Sequence, residues 1–391
     1  MVCPSRRKTC PSRCCARMRT EVYQLDAEEG YQDAIRKAVS VLNDGGLVVF
    51  PTETVYGLAA NAAMPEAIRR LRHVKDRTDE KPFTVHVGQP TDLTRYVPSP
   101  SPVGRRLVRK GWPGPLTLVF HVPDLDRAPI LKELPPGQDR TLYHEGTIGL
   151  RCPDARAACD LLTQVKLPVV ATSANPAGEP PAVTGTQARD YLDGQVDVVL
   201  DGGRCKYAKA STIVRVNEHG YQILREGVWD GRFIGRLATT TFLFVCSGNT
   251  CRSPIAEGVC KKVLAERVGC RINELSDHGY GVVSAGTHSL GRSSVTPEAV
   301  RACAKLGIDI SAHQAQPLTP ELIHAADYIF GMTARHIETI RQMMPSVRAR
   351  VLLLDPNADV EDPIGGDAEL YTGLADRIER LIRRHLEDID L

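Results

Sequence analysis

The sequence predicts two consecutive α/β domains, the second built on a doubly wound parallel sheet. Three observations carry this. At 391 residues the chain exceeds the size at which one hydrophobic core keeps growing. Short apolar runs of strand character alternate with segments of helical periodicity along its length. Near residue 241 an apolar strand run, a glycine-containing loop and a helical stretch open a fresh unit, the order expected at the start of a doubly wound sheet.

Taken in order, apolar residues recur at helical spacing from Tyr31 to Leu42, and Asn43-Asp44-Gly45-Gly46 ends that helix. Leu47–Phe50 is a short strand entering Pro51, Glu66–Val74 is helical, and Phe83–Val87 reads as a strand. Strand runs follow at Leu116–Val122, Thr147–Leu150, Val169–Ala171 and Val196–Leu200, separated by Pro- and Gly-rich connections. Gln222–Glu226 closes the region, and Gly227–Thr241 reads as the join. Phe242–Val245 is then a buried strand, followed by a loop and a helix over Pro254–Arg267. Helices at Pro297–Leu306 and Leu370–Leu386 and a strand at Tyr328–Met332 continue the alternation.

Composition narrows the functional class. The chain is 42% hydrophobic and 25% charged, as in ordinary globular proteins. No apolar run approaches the ~18–20 residues that span a bilayer, and the basic N-terminus lacks an apolar stretch after it, so no secretory signal is read. These features point to a cytoplasmic protein without membrane attachment. A net charge of +2 gives no general drive toward strong direct nucleic-acid binding. Twelve cysteines in so long a chain read as reduced thiols, a few of them reactive. Cys3, Cys10, Cys14 and Cys15 match no common zinc spacing and have no nearby histidine, so residues 1–17 read as a disordered leader with Met18 as an alternative start.

The decisive string is Val245-Cys246-Ser247-Gly248-Asn249-Thr250-Cys251-Arg252-Ser253-Pro254. It places a thiol at a strand end and an arginine six positions later at a helix start. The loop amides can point inward and cradle a tetrahedral oxyanion, helped by the helix dipole. The same field lowers a thiol pKa, making Cys246 a thiolate nucleophile. Arg252 supplies a planar fork for two phosphate oxygens. Gly248 permits the turn, and Ser253 can donate to the thiolate. A bare Cys-x5-Arg also fits a structural cysteine beside a surface arginine; the strand before, the helix after and Gly-Asn within the loop favour the site.

With these residues in view, the segment from about Thr241 onward resembles the low-molecular-weight protein phosphatases. Ser284-Ala285-Gly286-Thr287, Leu306–Asp309 with His313, and Asp362-Pro363-Ile364-Gly365-Gly366 extend the likeness. The resemblance implies a three-layer α/β/α domain over residues 240–391, with Asp362 protonating the leaving group and then activating water. Asp-Pro is a common turn signal, and Asp355-Pro356 ranks second for that role. In the family, a cysteine placed like Cys251 can pair with the nucleophile and shield it; a small buried filler is the equal alternative. Thr250, where tyrosine-specific members carry a bulky aliphatic residue, resembles the phosphoarginine-specific members, so phosphoarginine is favoured over phosphotyrosine. Arsenate reductases share the loop and form the competing class, with a resolving thiol among Cys251, Cys260 and Cys270.

Earlier in the chain lie Pro51-Thr52-Glu53-Thr54-Val55-Tyr56-Gly57, Lys75-x-Arg77, Lys81-Pro82, His86, Trp112-Pro113-Gly114-Pro115-x-Thr117, Gly149–Pro153, Ser173-Ala174-Asn175, Ser211-Thr212-Ile213 and Leu224–Gly227. From the residues alone, Lys75, Arg77, Lys81, Arg151 and Arg225 could converge on a polyphosphate, while Thr54, Ser173, Asn175 and Ser211 could hold a small polar ligand. Each by itself is more often a surface charge or turn residue, and no Walker loop or GxGxxG is present.

Together and in this order they resemble the YrdC-like threonylcarbamoyl-AMP synthases, over roughly residues 28–230 of a twisted-sheet α/β domain spanning 18–235. The resemblance implies condensation of L-threonine, bicarbonate and ATP, with Mg²⁺ accompanying the nucleotide, to give threonylcarbamoyl-AMP and pyrophosphate. That product feeds the machinery that transfers threonylcarbamoyl to adenosine in tRNA. Carried over position by position, Thr54, His86, Arg151, Ala171 and Ser211 contact threonine. Lys75, Arg77, Lys81, Thr147, Ser173, Asn175, Pro181 and Arg225 line the ATP site. A non-catalytic nucleotide- or RNA-binding module is the alternative for this half.

Overall fold

A computed structural model of the chain describes residues 19–25, 28–78, 82–218, 220–387 and 389. The predicted leader with its four cysteines, and Lys81 of the ATP-site set, lie outside these residues. The chain divides into two compact units: one of residues up to 99, with 111–215 and 223–229, and one of 100–110, 216–222 and 230 onward.

The first unit is organised on a mixed sheet that is ten-stranded among the described residues. Its strands are β1 (Glu21–Gln24), β2 (Val48–Phe50), β3 (Gly57–Asn61), β4 (Thr84–His86), β5 (Leu116–His121), β6 (Thr147–Arg151), β7 (Val169–Ser173), β8 (Val198–Asp201), β9 (Thr212–Val216) and β10 (Tyr221–Arg225). Their spatial order is β1-β8-β2-β3-β7-β4-β6-β5-β9-β10. The helices Tyr31–Asn43 and Arg156–Gln164 bury Ala34, Ile35, Ala38 and Leu42 together with Ala157, Ala158, Leu161 and Leu162 against Val48, Phe50, Ala59 and Val169. Each large apolar side chain so buried contributes about 1.5–3 kcal/mol. Register matters most where the site forms: β4 sets His86 opposite Arg151 of β6, and β5 sets Thr117 opposite the same Arg151. One row across three adjacent strands therefore carries an imidazole, a guanidinium and a hydroxyl.

The stretch read as a join contains a helix, Gly231–Ala238, capped by the Asp230 carboxylate accepting the Phe233 N–H at 2.8 Å. Beyond it β11 (Thr240–Cys246), β12 (Tyr280–Gly286), β13 (Tyr328–Gly331) and β14 (Arg350–Leu353) form a four-stranded sheet in the order β12-β11-β13-β14, every pair parallel. Side chains of β11 alternate between its faces as strand geometry requires. Phe242 and Phe244 enter one core with residues of the helices Arg252–Val268, Pro297–Lys305 and Ala368–Glu387. Leu243 and Val245 enter a second core with Ile323 and Ile340 of the helices Pro320–Ala325 and Ala334–Met343. The result is the three-layer α/β/α arrangement. Chain order leaves β11 toward β12 on one side and β13 on the other, so a crevice opens at its carboxyl end.

Candidate functional site

Cys246 ends β11 in that crevice, and the helix Arg252–Val268 begins six residues later, pointing its free amides at the intervening loop. The thiol is buried; its Sγ accepts the Asn249 N–H at 3.2 Å and lies 2.9 Å from Ser253 Oγ. The left-handed residue of the loop is Asn249, at φ 58°, and not Gly248, contrary to the sequence expectation. Asparagine tolerates that conformation when its amide is locally satisfied. Here Nδ2 donates to Ser253 Oγ at 2.9 Å and Ser284 Oγ at 2.8 Å, while Oδ1 accepts the Gln316 N–H at 2.9 Å and His313 Nε2 at 3.3 Å. Ser284 passes its own proton to Glu257 at 2.7 Å. A Cβ on Gly286 would lie 2.6 Å from the Ser247 carbonyl, which accounts for glycine in the Ser-Ala-Gly-Thr motif.

Arg252 is buried; Nη1 donates to the Val360 carbonyl at 3.0 Å, Nη2 to the Asp362 carboxylate, and Nε has no partner. A buried cation with an unused donor beside inward-facing amides suits an oxyanion. Of the two candidate acids, Asp362 reaches the arginine fork, whereas Asp355 is held by Arg377 at 2.6 Å. Thr250 is half-buried, its carbonyl accepting the Thr296 N–H at 3.1 Å. Cys251 is buried, with its Sγ 3.4 Å from the Tyr371 hydroxyl and 3.6 Å from that of Thr296.

In the first unit the centre is Arg151. Its Nη2 donates to Thr54 Oγ1 at 2.6 Å and to Glu53 at 2.9 Å, and its Nε is buried without a partner. Glu53 completes its bonding by accepting the Asp154 N–H at 3.0 Å. His86 Nδ1 lies 3.1 Å from the Thr84 carbonyl, which can only accept, so Nδ1 carries the proton and Nε2 keeps a free lone pair. Burial and the nearby Arg151 charge pull its pKa down to about 3, so the imidazole is neutral. Thr117 Oγ1 meets Ser211 Oγ at 2.9 Å, and Arg225 donates to the Ser211 carbonyl at 2.8 Å. Burial, then the Arg151 charge, pushes Arg225 below its ordinary value.

Lys75 Nζ donates to the Ser173 carbonyl at 3.0 Å and to the Asn175 carbonyl at 2.6 Å. Burial, then the Arg77 charge, lowers its pKa to about 8. The Arg77 guanidinium lies 4.6 Å from the Phe83 ring centroid. Ala171 is buried in β7, two residues before Ser173. Thr147 begins the strand that Arg151 ends, with its hydroxyl on the His144 carbonyl, so about 13 Å of strand separates the two. Pro181 is half-buried in the segment after the Asn175 turn, whose Nδ2 donates to the Glu179 carbonyl at 2.5 Å. Glu53 and Thr117 were visible in motifs, but only the register and the Arg151 contacts assign them a place.

Neither site coincides with a cavity of about 840 Å³ that runs along the sheet edge at β14 and is lined by Ile337, Arg341, Arg350 and Leu352 among others. Among the described residues no group of three or more His, Cys, Asp or Glu side chains is arranged to hold a metal. No helix among them is long and apolar enough to cross a membrane.

Folds and sites thus define two classes in one chain: a mixed-sheet α/β domain with a cationic pocket, and a parallel-sheet domain with a thiol-bearing anion loop. A family model described as telomere recombination (Sua5/YciO/YrdC) matches residues 40–227, and one for low molecular weight phosphotyrosine protein phosphatase matches 241–390. A putative threonylcarbamoyl-AMP synthase of Mycobacterium tuberculosis is 36% identical over 208 residues, 53% of this chain and 90% of that protein. The threonylcarbamoyl-AMP synthase of Pyrococcus abyssi is 31% identical over 193 residues, 49% of this chain and 54% of that protein. The protein-arginine-phosphatase of Bacillus subtilis is 37% identical over 147 residues, 36% of this chain and 91% of that protein. The chain therefore belongs to the Sua5/YciO/YrdC family in its first half and to the low molecular weight phosphatase family in its second. It spans about half the length of the Pyrococcus and Bacillus synthases it matches.

Proposed function

We propose that the chain is a bifunctional cytoplasmic enzyme, a threonylcarbamoyl-AMP synthase joined to a cysteine-dependent protein phosphatase. For the synthase, the carrying observation is the buried Arg151 with its unused Nε, flanked by Thr54, neutral His86 and Arg225. A threonine carboxylate would take the guanidinium, and the free Nε2 of His86 can accept from the amino acid. The carbamate formed from threonine and bicarbonate attacks the α-phosphorus of ATP, a P–O bond forms, and pyrophosphate leaves. Lys75, Arg77, Lys81 and Arg225 would meet the phosphate charge. Mg²⁺ would be held chiefly by the triphosphate, since the described residues offer no acidic cage. The product would pass to the tRNA threonylcarbamoyl transferase machinery.

For the phosphatase, the carrying observation is Cys246 receiving the Asn249 N–H and facing Ser253, beside Arg252 and Asp362. The thiolate attacks phosphorus, an S–P bond forms, and the P–N or P–O bond breaks as Asp362 gives its proton to the leaving group. Water then attacks the phosphocysteine, returning its proton to Asp362 and releasing phosphate. Phosphoarginine is the favoured substrate. Thr250 lies in the loop between Cys246 and Arg252, and the Bacillus subtilis relative is named for that activity.

Two assays test this. Pyrophosphate release should require threonine and bicarbonate together and be lost in Lys75→Ala; no release with all three substrates present would reduce the first half to a binding module. Phosphoarginine peptides should be cleaved faster than phosphotyrosine peptides, with the preference reversed in Thr250→Ile. Thiol-dependent arsenite production, with neither peptide cleaved, would move the second half to the arsenate reductases.

A further inference from the structure

Ser247, the residue after the nucleophile, is gripped from outside its own loop. His336 Nε2 lies 3.0 Å from Ser247 Oγ. His336 stands in the first turn of the helix Ala334–Met343, where Thr333 is the N-cap. The Thr333 hydroxyl accepts the His336 N–H at 3.4 Å, and the Thr333 N–H donates to His336 Nδ1 at 3.1 Å. This is a reciprocal capping box with imidazole in the place usual for glutamate or glutamine.

The contacts fix the tautomer. An N–H aimed at Nδ1 requires a lone pair there, so the ring proton sits on Nε2 and is donated to Ser247 Oγ. The Thr333 hydroxyl, 2.9 Å from Nδ1, can donate to the same lone pair, whereas a proton on Nδ1 would face the Thr333 N–H donor to donor. Burial first, then the Arg252 charge and His288, lowers its pKa to about 4, against the opposing pull of Asp359 and Asp362.

The same helix start also holds the segment leading to the acid. Ala334 N–H donates to Asp359 Oδ1 at 2.8 Å, and Val360 N–H donates to the Met332 carbonyl at 2.8 Å. Val360 in turn accepts Arg252 at 3.0 Å.

We propose that His336 is a positioning residue of the phosphatase site: as a neutral donor to Ser247 it ties the nucleophile loop to the helix cap that also anchors the Asp362 segment. Its kinetic consequence rests on the phosphatase reading, whereas its effect on oxyanion binding does not.

The test uses the full chain and inorganic phosphate as the probe, read as protection of Cys246 from alkylation by iodoacetate, alongside kcat/KM on a phosphopeptide. His336→Gln keeps a donor at the ε position, whereas His336→Asn keeps only the acceptor facing Thr333 N–H. His336→Asn and Ser247→Ala should each weaken phosphate protection and kcat/KM by about two- to tenfold, the range one neutral hydrogen bond supports. His336→Gln should recover most of the loss, and the double variant His336→Asn/Ser247→Ala should be no worse than either single one. Multiplying effects would overturn the proposal. So would a Ser247→Ala chain with undiminished phosphate protection, a readout that survives even if His336→Asn does not fold. A correct protection pattern without phosphopeptide turnover would uphold the positioning role and sink the phosphatase reading instead.

Discussion

Lys75 is a cation whose charge is conditional. Burial and the Arg77 charge bring its pKa to about 8, while its ammonium is spent on the carbonyls of Ser173 and Asn175. It is protonated below that value and neutral above, so attraction for a polyphosphate falls as pH rises through it. The KM for ATP in pyrophosphate release should therefore climb above about pH 8. Lys75→Arg should flatten that limb, because a guanidinium keeps its charge; an identical limb in the arginine variant would assign it elsewhere. At this scale the sequence spoke through context: Cys246 and Arg252 stood out as candidates by the strand before, the loop between and the helix after, and Lys75 and Arg77 only in company with the other motifs. Glu53, Thr117 and His336 did not: a carboxylate, a hydroxyl and an imidazole occur everywhere, and only the register across β4, β6 and β5 or a cap geometry gives them work.

Elements were legible in proportion to how far local pattern and tertiary need agree. Phe242–Val245 is an unbroken apolar run, and it is the central strand of its sheet. The strand β12, Tyr280–Gly286, is interrupted by glycine and serine, and β3 reads Gly-Leu-Ala-Ala-Asn, poor in strand formers yet wholly buried. Pairing with β11 fixes the first, and pairing with β2 and β7 on its two sides fixes the second, which no local propensity reports. The helix Gly231–Ala238 was missed although Asp230, three residues before Phe233, is an N-cap signal. Glycine in β12 has a use that the pattern hid: at Gly286 the strand end passes under the nucleophile loop. Gly286→Ala should destabilise the second unit by about 1–3 kcal/mol, as overpacking does, because the new methyl meets the Ser247 carbonyl. It should also raise the alkylation rate of Cys246 by loosening the loop. Unchanged thermal unfolding and thiol reactivity would refute the close approach.

For the whole molecule, more than one domain was readable from length and a new unit was expected near residue 241, whereas the second compact unit takes in 100–110, 216–222 and 230 onward. Strand order was not, since β1-β8-β2 and β12-β11-β13 adjacencies join residues far apart in the chain. Each unit has its own buried core. Single changes should therefore act on one activity at a time. Cys246→Ser in the full chain should remove phosphatase turnover by more than about a thousandfold, as loss of a nucleophile does, and leave pyrophosphate release unchanged. Lys75→Ala should do the reverse. Loss of both activities in either variant, with the fold intact by circular dichroism, would show that the two chemistries are coupled.

The carboxylate of Asp362 on the fork of Arg252 has a consequence for solvent ions. One arm of the cradle is taken: an anion reaching for Nη2 of Arg252 must displace a carboxylate that is tethered to the chain and so competes at high effective concentration, while Nε stays open. Entry becomes an exchange. Chloride and acetate, with one charge and no set of oxygens to match the loop amides, cannot repay the eviction, whereas a phosphoryl dianion gains the fork and the amides together. The loop would thereby disfavour singly charged anions, with Asp362, the proposed acid, as the resident they must displace.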